Sequence, residues 1–149
     1  MKYLALSFTG SLILSFMGSL CPALLYNLDM KKAFWAGLSG SVGWLTYIFF
    51  KNYTDQVIFA TFMGAIAVSI YSETLARLLK TPATILSVSG ILPLVPGSGA
   101  YNTVQYMVQN RYQLGLTEGI KTMASAGSIA LGIMIISALF RISTRKLKL

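Results

Sequence analysis

Seven consecutive residues carry the densest chemical signal in the chain. Pro93-Leu94-Val95-Pro96-Gly97-Ser98-Gly99 places two prolines and two glycines inside a long apolar stretch. Each proline removes a backbone N–H and clashes with the preceding helical turn, and glycine is a poor helix former. Pro96 also pushes Val95 out of helical geometry. The pattern predicts two half helices, 83–92 and 100–110, separated by a break over 93–99 that Pro93, Pro96 and Gly97 make. A half helix starting near Ser98 presents unpaired N–H groups and the positive end of its dipole. The N–H groups of Ser98, Gly99 and Ala100 can then hold a carboxylate with no cation beside them. The first half helix, ending near Leu92, leaves carbonyls free. Discontinuous helices of this kind build midplane binding sites in transporters.

The second half helix adds Asn102, Gln105 and Gln109, whose spacing of three and four puts them on one face, flanked by Tyr101 and Tyr106. Amides are costly against lipid, so this face should point into the bundle or into water. Hydrogen bonds between helices explain it as well as a solute path does. Glu73 is the acidic residue well inside an apolar stretch, and Arg77 follows one turn later in the favourable order. Two roles are open for it: an ion pair that orients the helix, or a carboxylate that loads and releases a proton in a partly dry site. Asp29, Asp55 and Glu118 fall at loops or helix starts and read as caps and dipole partners.

Other chemistry is poorly supplied. With no histidine and one cysteine, Cys21, the chain offers no zinc ligand set and no internal disulfide. Gly97-Ser98-Gly99 lacks the Lys-Ser/Thr of a phosphate-binding loop. There is no nucleophile elbow and no carboxylate pair with glycosidase spacing. The sequence therefore predicts no catalytic residue, metal or cofactor.

The elements that must position these residues are membrane spans. Of the 149 residues, 55% are hydrophobic and 11% charged, against about 25% charged in a soluble domain. That balance excludes a disordered chain, a coiled coil and an ordinary soluble enzyme. The predicted fold is an all-α polytopic membrane bundle forming one domain, 1–149, with five spans at 4–26, 33–50, 56–79, 83–110 (broken at 93–99) and 117–142. The first apolar run exceeds the length of a signal-peptide core and reads as a retained span. Asp29 is the expected cap of span two, and Thr81-Pro82 the expected start of span four. Ser7, Ser11, Ser15 and Ser19 recur every four residues in span one, and Ala124, Ser128 and Gly132 repeat the device in span five. Small-residue stripes let helix backbones approach closely where lipid gives no hydrophobic drive. A polar path is the alternative role for the serines.

The net charge of +8 does not imply nucleic acid, because the basic residues cluster between and after apolar stretches. Eight of them fall on one side of a five-span layout: Lys31, Lys32, Arg77, Lys80, Arg141, Arg145, Lys146 and Lys148. The other side holds Lys2, Lys51 and Arg111, with Lys121 just inside span five, which predicts a cytoplasmic C-terminus and an external N-terminus.

The stretch Gly90-Ile91-Leu92-Pro93-Leu94-Val95-Pro96-Gly97-Ser98-Gly99-Ala100-Tyr101, with Gly119 and the small-residue span Ala124 to Gly132, resembles the threonine/serine exporter family. Over nearly its whole length the chain is similar to the small membrane subunit of that exporter's split version. The resemblance implies a bacterial inner-membrane exporter of threonine and serine, or of a dicarboxylate such as succinate in a two-gene form. It also implies a proton-driven cycle and a larger partner subunit, and it leaves open whether the chain forms a homo-oligomer. The family pattern carries over to Pro93, Pro96, Gly97, Gly99, Tyr101 and Asn102 without marking any of them as a substrate ligand. A dianion would want Arg77, Arg111 or partner cations nearby. A non-transporting scaffold subunit and a gradient-independent channel are the competing classes.

Overall fold

The computed structural model describes residues 2–146, and side chains within residues 8–142. Six α-helices follow one another: α1 Lys2–Leu25, α2 Met30–Thr54, α3 Val57–Leu79, α4 Ala83–Ile91, α5 Gly97–Val108 and α6 Tyr112–Lys146. A short 3-10 turn, Leu92–Leu94, sits between α4 and α5. Among the described residues there is no strand. Four helices are long and apolar enough to cross a membrane, and the bent pair α4–α5 makes a fifth if counted as one span. The all-α bundle read from the sequence is the fold observed.

The helix ends refine that reading. The break is narrower than 93–99, because Gly97, Ser98 and Gly99 already belong to α5. The last helix begins at Tyr112 rather than 117, so Arg111 to Leu116 is not a separate approach segment. Asp29 stands at the N-cap position of α2 but makes no capping hydrogen bond, and its carboxylate lies 3.6 Å from Lys32 instead. Thr81 does not cap α4; Pro82 is the capping residue, and the Thr81 hydroxyl is buried without a partner. Asn27, Asp55, Lys80 and Asn110 adopt left-handed backbone, with φ of 58°, 54°, 51° and 59°. Each follows the end of a helix and reverses the chain.

Helices α1, α2 and α3 surround α4. The core they share is built largely from small side chains. Ala23, Ala33, Ala36, Leu75, Ala76 and Leu86 form one cluster, and Ala65, Val68, Ile91, Leu94 and Ile129 form a second around the break. The smallness has a direct cause at Gly43 and Gly64. A Cβ on Gly64 would sit 3.1 Å from the Gly43 carbonyl and 3.1 Å from Leu94. A Cβ on Gly43 would collide with Val68 and meet Leu94 at 3.2 Å. Leu94 thus wedges between two backbones that have no side chain at that level, and it is 4% exposed.

The serines mostly serve packing. Ser15 and Ser128 donate to carbonyls three residues back on their own helices, at 2.9 Å and 2.7 Å. Ser39 donates to Ala36 at 2.7 Å, with the Leu86 carbonyl of α4 at 3.4 Å. Ser19 is fully buried without a hydrogen-bond partner. The side chain of Ser7 lies outside the described ones.

The last helix joins the bundle through α3. Thr61 and Ser128 hydroxyls are 3.1 Å apart, and a Cβ on Gly132 would touch Ala65 at 3.1 Å. Further along, Arg77 donates to the Phe140 carbonyl at 3.2 Å and lies 4.9 Å from the centre of its ring. The two helices therefore run parallel, and Val57 falls opposite roughly residue 124 in this register. The first turns of α6 extend past the start of α3. There they pack on α5, which among the described residues touches no other helix. With 35 residues, α6 is about 52 Å long, well over the about 30 Å of a hydrocarbon layer. The hairpin of α5 and the first third of α6 forms an arm beyond the α2–α3 turn.

The Leu94 wedge carries a prediction. Gly64→Val should lower the stability of the detergent-solubilised chain by about 1–3 kcal/mol, because the extra methyls meet backbone and an immobile leucine. Equilibrium unfolding followed by far-ultraviolet dichroism measures this, and an unchanged midpoint would contradict the packing described.

Candidate functional site

The break is assembled from short-range backbone bonds. Val95 N–H donates to Leu92 O at 3.3 Å, and Gly97 N–H donates to Val95 O at 2.8 Å. Pro96 is the N-cap of α5, and its carbonyl accepts from Ala100 N–H at 3.1 Å. Across the break, Ser98 and Gly99 donate their N–H groups to no backbone carbonyl. The two halves meet at 51°.

That bend carries α5 away from the bundle and lays it on α6. Three close approaches fix the pairing. A Cβ on Gly99 would collide with the Thr122 hydroxyl, a Cβ on Gly119 would meet Thr103 at 3.2 Å, and a Cβ on Gly115 would meet Met107 at 3.2 Å. Small residues here bring the first turn of α5 against α6. Thr103 donates to the Gly99 carbonyl at 2.7 Å, and Thr122 donates to the Glu118 carbonyl at 2.7 Å, so both hydroxyl protons are already used.

A cleft of about 540 Å³ opens where the arm leaves the bundle. Gln56, Val57 and Ile58 at the start of α3 form one wall. Pro96, Ser98, Gly99 and Asn102 form the second, and Glu118, Lys121, Thr122 and Ser125 of α6 the third. Lys121 Nζ lies 3.1 Å from Glu118 Oε1. The cleft thus sets an ion pair, two amides and three hydroxyls around one space. It lies at the start of α3, beside Gln56, Val57 and Ile58, just past the point where Leu94 packs between Gly43 and Gly64.

A second hollow, about 490 Å³, lies on the other side of the break. Ser11, Ser15, Gly18 and Pro22 of α1 line it with Trp44, Leu92 and Pro93. It is mainly apolar. Ser11 and Ser15 of α1 and Asn102 therefore line different hollows.

The structure sorts the residues singled out in the sequence. Ser98, Gly99 and Asn102 line the cleft together. Ala100, Tyr101, Gln105 and Gln109 are exposed and lie outside its lining. Among the described residues α5 has only α6 as a neighbour, so its amide face points into no bundle there. Pro93 belongs to the 3-10 turn, while Pro96 and Gly97 start α5. Glu73 is half-buried on α3, about 24 Å along the helix from the cleft wall at Val57. No ion pair joins it to Arg77 among the described residues; Arg77 turns to Phe140 instead.

Four polar cleft residues have no such role in the sequence reading: Gln56, Lys121, Thr122 and Ser125. Glu118 was read as a dipole partner. The signal that could have found them is the Glu118-x-x-Lys121-Thr122 spacing, which puts both charges on one helix face beside a hydroxyl. No cluster of residues able to hold a metal ion occurs among the described residues.

The family sequence model described as "Threonine/Serine exporter, ThrE" matches residues 11–139. A "Threonine/serine exporter" of Corynebacterium glutamicum is 30% identical over 100 residues, which is 67% of this chain and 20% of that protein. The matched part thus spans about a fifth of the length of the curated relative. No solved structure matches the chain.

The contact between Gly99 and Thr122 gives the test of this geometry. Gly99→Val should lift α5 off α6 and leave the rest of the bundle folded. Hydrogen exchange by mass spectrometry should then show faster exchange by about tenfold or more in peptides covering 100–108, with α2 and α3 unchanged. Equal protection in both proteins would refute the packing.

Proposed function

Because the chain belongs to the threonine/serine exporter family, we propose that it is the membrane subunit of a proton-coupled exporter of small carboxylate-bearing metabolites. Its substrates are threonine and serine or a dicarboxylate such as succinate. It works in a bacterial inner membrane with a larger partner subunit, its N-terminus outside and its C-terminus in the cytoplasm. It performs no covalent chemistry. The observation that carries this reading is the cleft at the helix break. There the unpaired N–H groups of Ser98 and Gly99 lie beside Asn102, the Glu118–Lys121 pair and the start of α3.

The physical sequence is simple. A carboxylate leaving water needs donors that are already in place. Backbone N–H groups at a helix start supply them and are aligned before the solute arrives. Asn102 supplies a donor and an acceptor for the remaining polar groups. Two walls of the cleft belong to the arm and one to α3, so its width changes when the arm moves against the bundle. Glu73, half-buried within α3, or an acid on the partner, carries the coupled proton. At about 24 Å from the cleft, it acts through the position of α3 and α6 rather than by touching solute. A scaffold role is favoured by one feature: the outer face of α5 exposes Tyr101, Val104 and Val108 with Gln105 and Gln109, a surface suited to a partner.

Reconstituted vesicles test the reading. With the chain and its partner present and a pH gradient imposed, efflux of threonine, serine or succinate should appear. With the chain alone it should be lost. No efflux of any of the three from the assembled pair would refute the exporter, and efflux indifferent to the gradient would point to a channel. In the same vesicles Glu73→Gln should abolish the response to the gradient and leave downhill exchange. Wild-type, gradient-driven efflux by that variant would remove Glu73 from proton coupling.

A further inference from the structure

The cleft contains a charge arrangement that its helix-break residues do not explain. Glu118 and Lys121 are the two formally charged residues of its lining. Their side chains are 32% and 63% exposed and close on each other at 3.1 Å. They stand one turn apart on α6, facing Ser98 and Asn102 of α5 and Gln56 at the start of α3. Neither is needed to hold α5 on α6, because that contact runs through Gly99–Thr122, Gly119–Thr103 and Gly115–Met107.

Resting on the exporter reading, we infer that Glu118 and Lys121 are the specificity-determining pair of the cleft: they accept a small zwitterion by exchanging ion pairs with it and turn away dicarboxylates. In the empty cleft each charge neutralises the other. A free amino acid carries the same two charges on adjacent groups. Its ammonium replaces Lys121 as the partner of Glu118, and its carboxylate replaces Glu118 as the partner of Lys121. Each protein charge keeps one opposite partner and the solute's two charges gain one each, so no isolated charge is left in the cleft. The N–H groups of Ser98 and Gly99 add donors for the carboxylate, and Asn102 or Gln56 can bond a side-chain hydroxyl. A volume of about 540 Å³ suits a small solute with some water. A dicarboxylate behaves differently. One end pairs with Lys121, and the other meets the Glu118 carboxylate with a like charge, which the cleft has no second cation to offset. Discrimination comes from this repulsion as much as from attraction.

A surface ion pair three residues apart on a helix is the competing account, and it contributes little to stability. The two accounts separate in vesicles holding the full chain and its partner, loaded in parallel with threonine or succinate. Glu118→Gln and Lys121→Gln should each lower threonine efflux by about tenfold or more. Glu118→Gln should also narrow the preference for threonine over succinate by about tenfold, since the repelling charge is gone. The exchanged protein, Glu118→Lys with Lys121→Glu, keeps the pair and should regain threonine efflux to within about threefold of wild type. Thermal unfolding of each variant checks that the fold is retained, and the neutral substitutions Glu118→Ala and Lys121→Met replace any variant that does not fold. Wild-type threonine efflux with an unchanged substrate ratio in both neutral variants would overturn the inference and leave the exporter standing. Preference of the wild type for succinate would do the same. Silence of the wild-type pair toward all solutes would instead remove the exporter reading itself.

Discussion

Backbones approaching one another without side chains between them set the terms for the rest of this molecule. Lipid tails are as apolar as leucine, so burying apolar surface gives helices little reason to associate in a bilayer. Attraction has to come from dispersion at short range and from hydrogen bonds. Gly43 on α2 and Gly64 on α3 provide the short range, and Leu94 fills the space they leave. The wedge fixes where the fourth segment stops being helical. Had either glycine a side chain, Leu94 would be displaced, and the turn that follows it would move with it.

The same device reappears outside the bundle. Gly99, Gly115 and Gly119 let α5 lie on α6, and the direction of α5 decides where the cleft opens. A break alone would leave bare peptide groups facing lipid, at a cost of several kcal/mol each. The bend brings them instead beside the polar residues of α6 and the α2–α3 turn. Packing and the shape of the cleft therefore draw on one set of small residues, and Gly99 belongs to both.

Much of this is written locally in the sequence. Apolar runs of the right length mark the spans, and Pro93, Pro96 and Gly97 mark the break, because their effects act within one or two turns. The cleft residues Ser98, Gly99 and Asn102 were legible for the same reason. What could not be read was which neighbours the break would find. Gln105 and Gln109 share a helix face with Asn102, yet periodicity does not reveal that α5 has a single neighbour. Glu118 and Lys121 look like an ordinary helix pair until α5 folds against their helix. Left-handed residues at Asp55 and Lys80 also gave no glycine signal, since the flanking helices impose the geometry on whatever residue stands there.

The length of α6 has a mechanical meaning. From its contact with Thr61 at Ser128, the helix runs one way along α3 and the other way out along α5. The outer limb, Tyr112 to Ser128, is about 24 Å long. A rocking of about 5° about that fulcrum would displace its tip by about 2 Å, the scale of known helix shifts. The inner limb must answer in the opposite sense near Phe140, where Arg77 of α3 holds it. A force applied at either end of this beam is felt at the other, with no intermediate chain of contacts required to relay it.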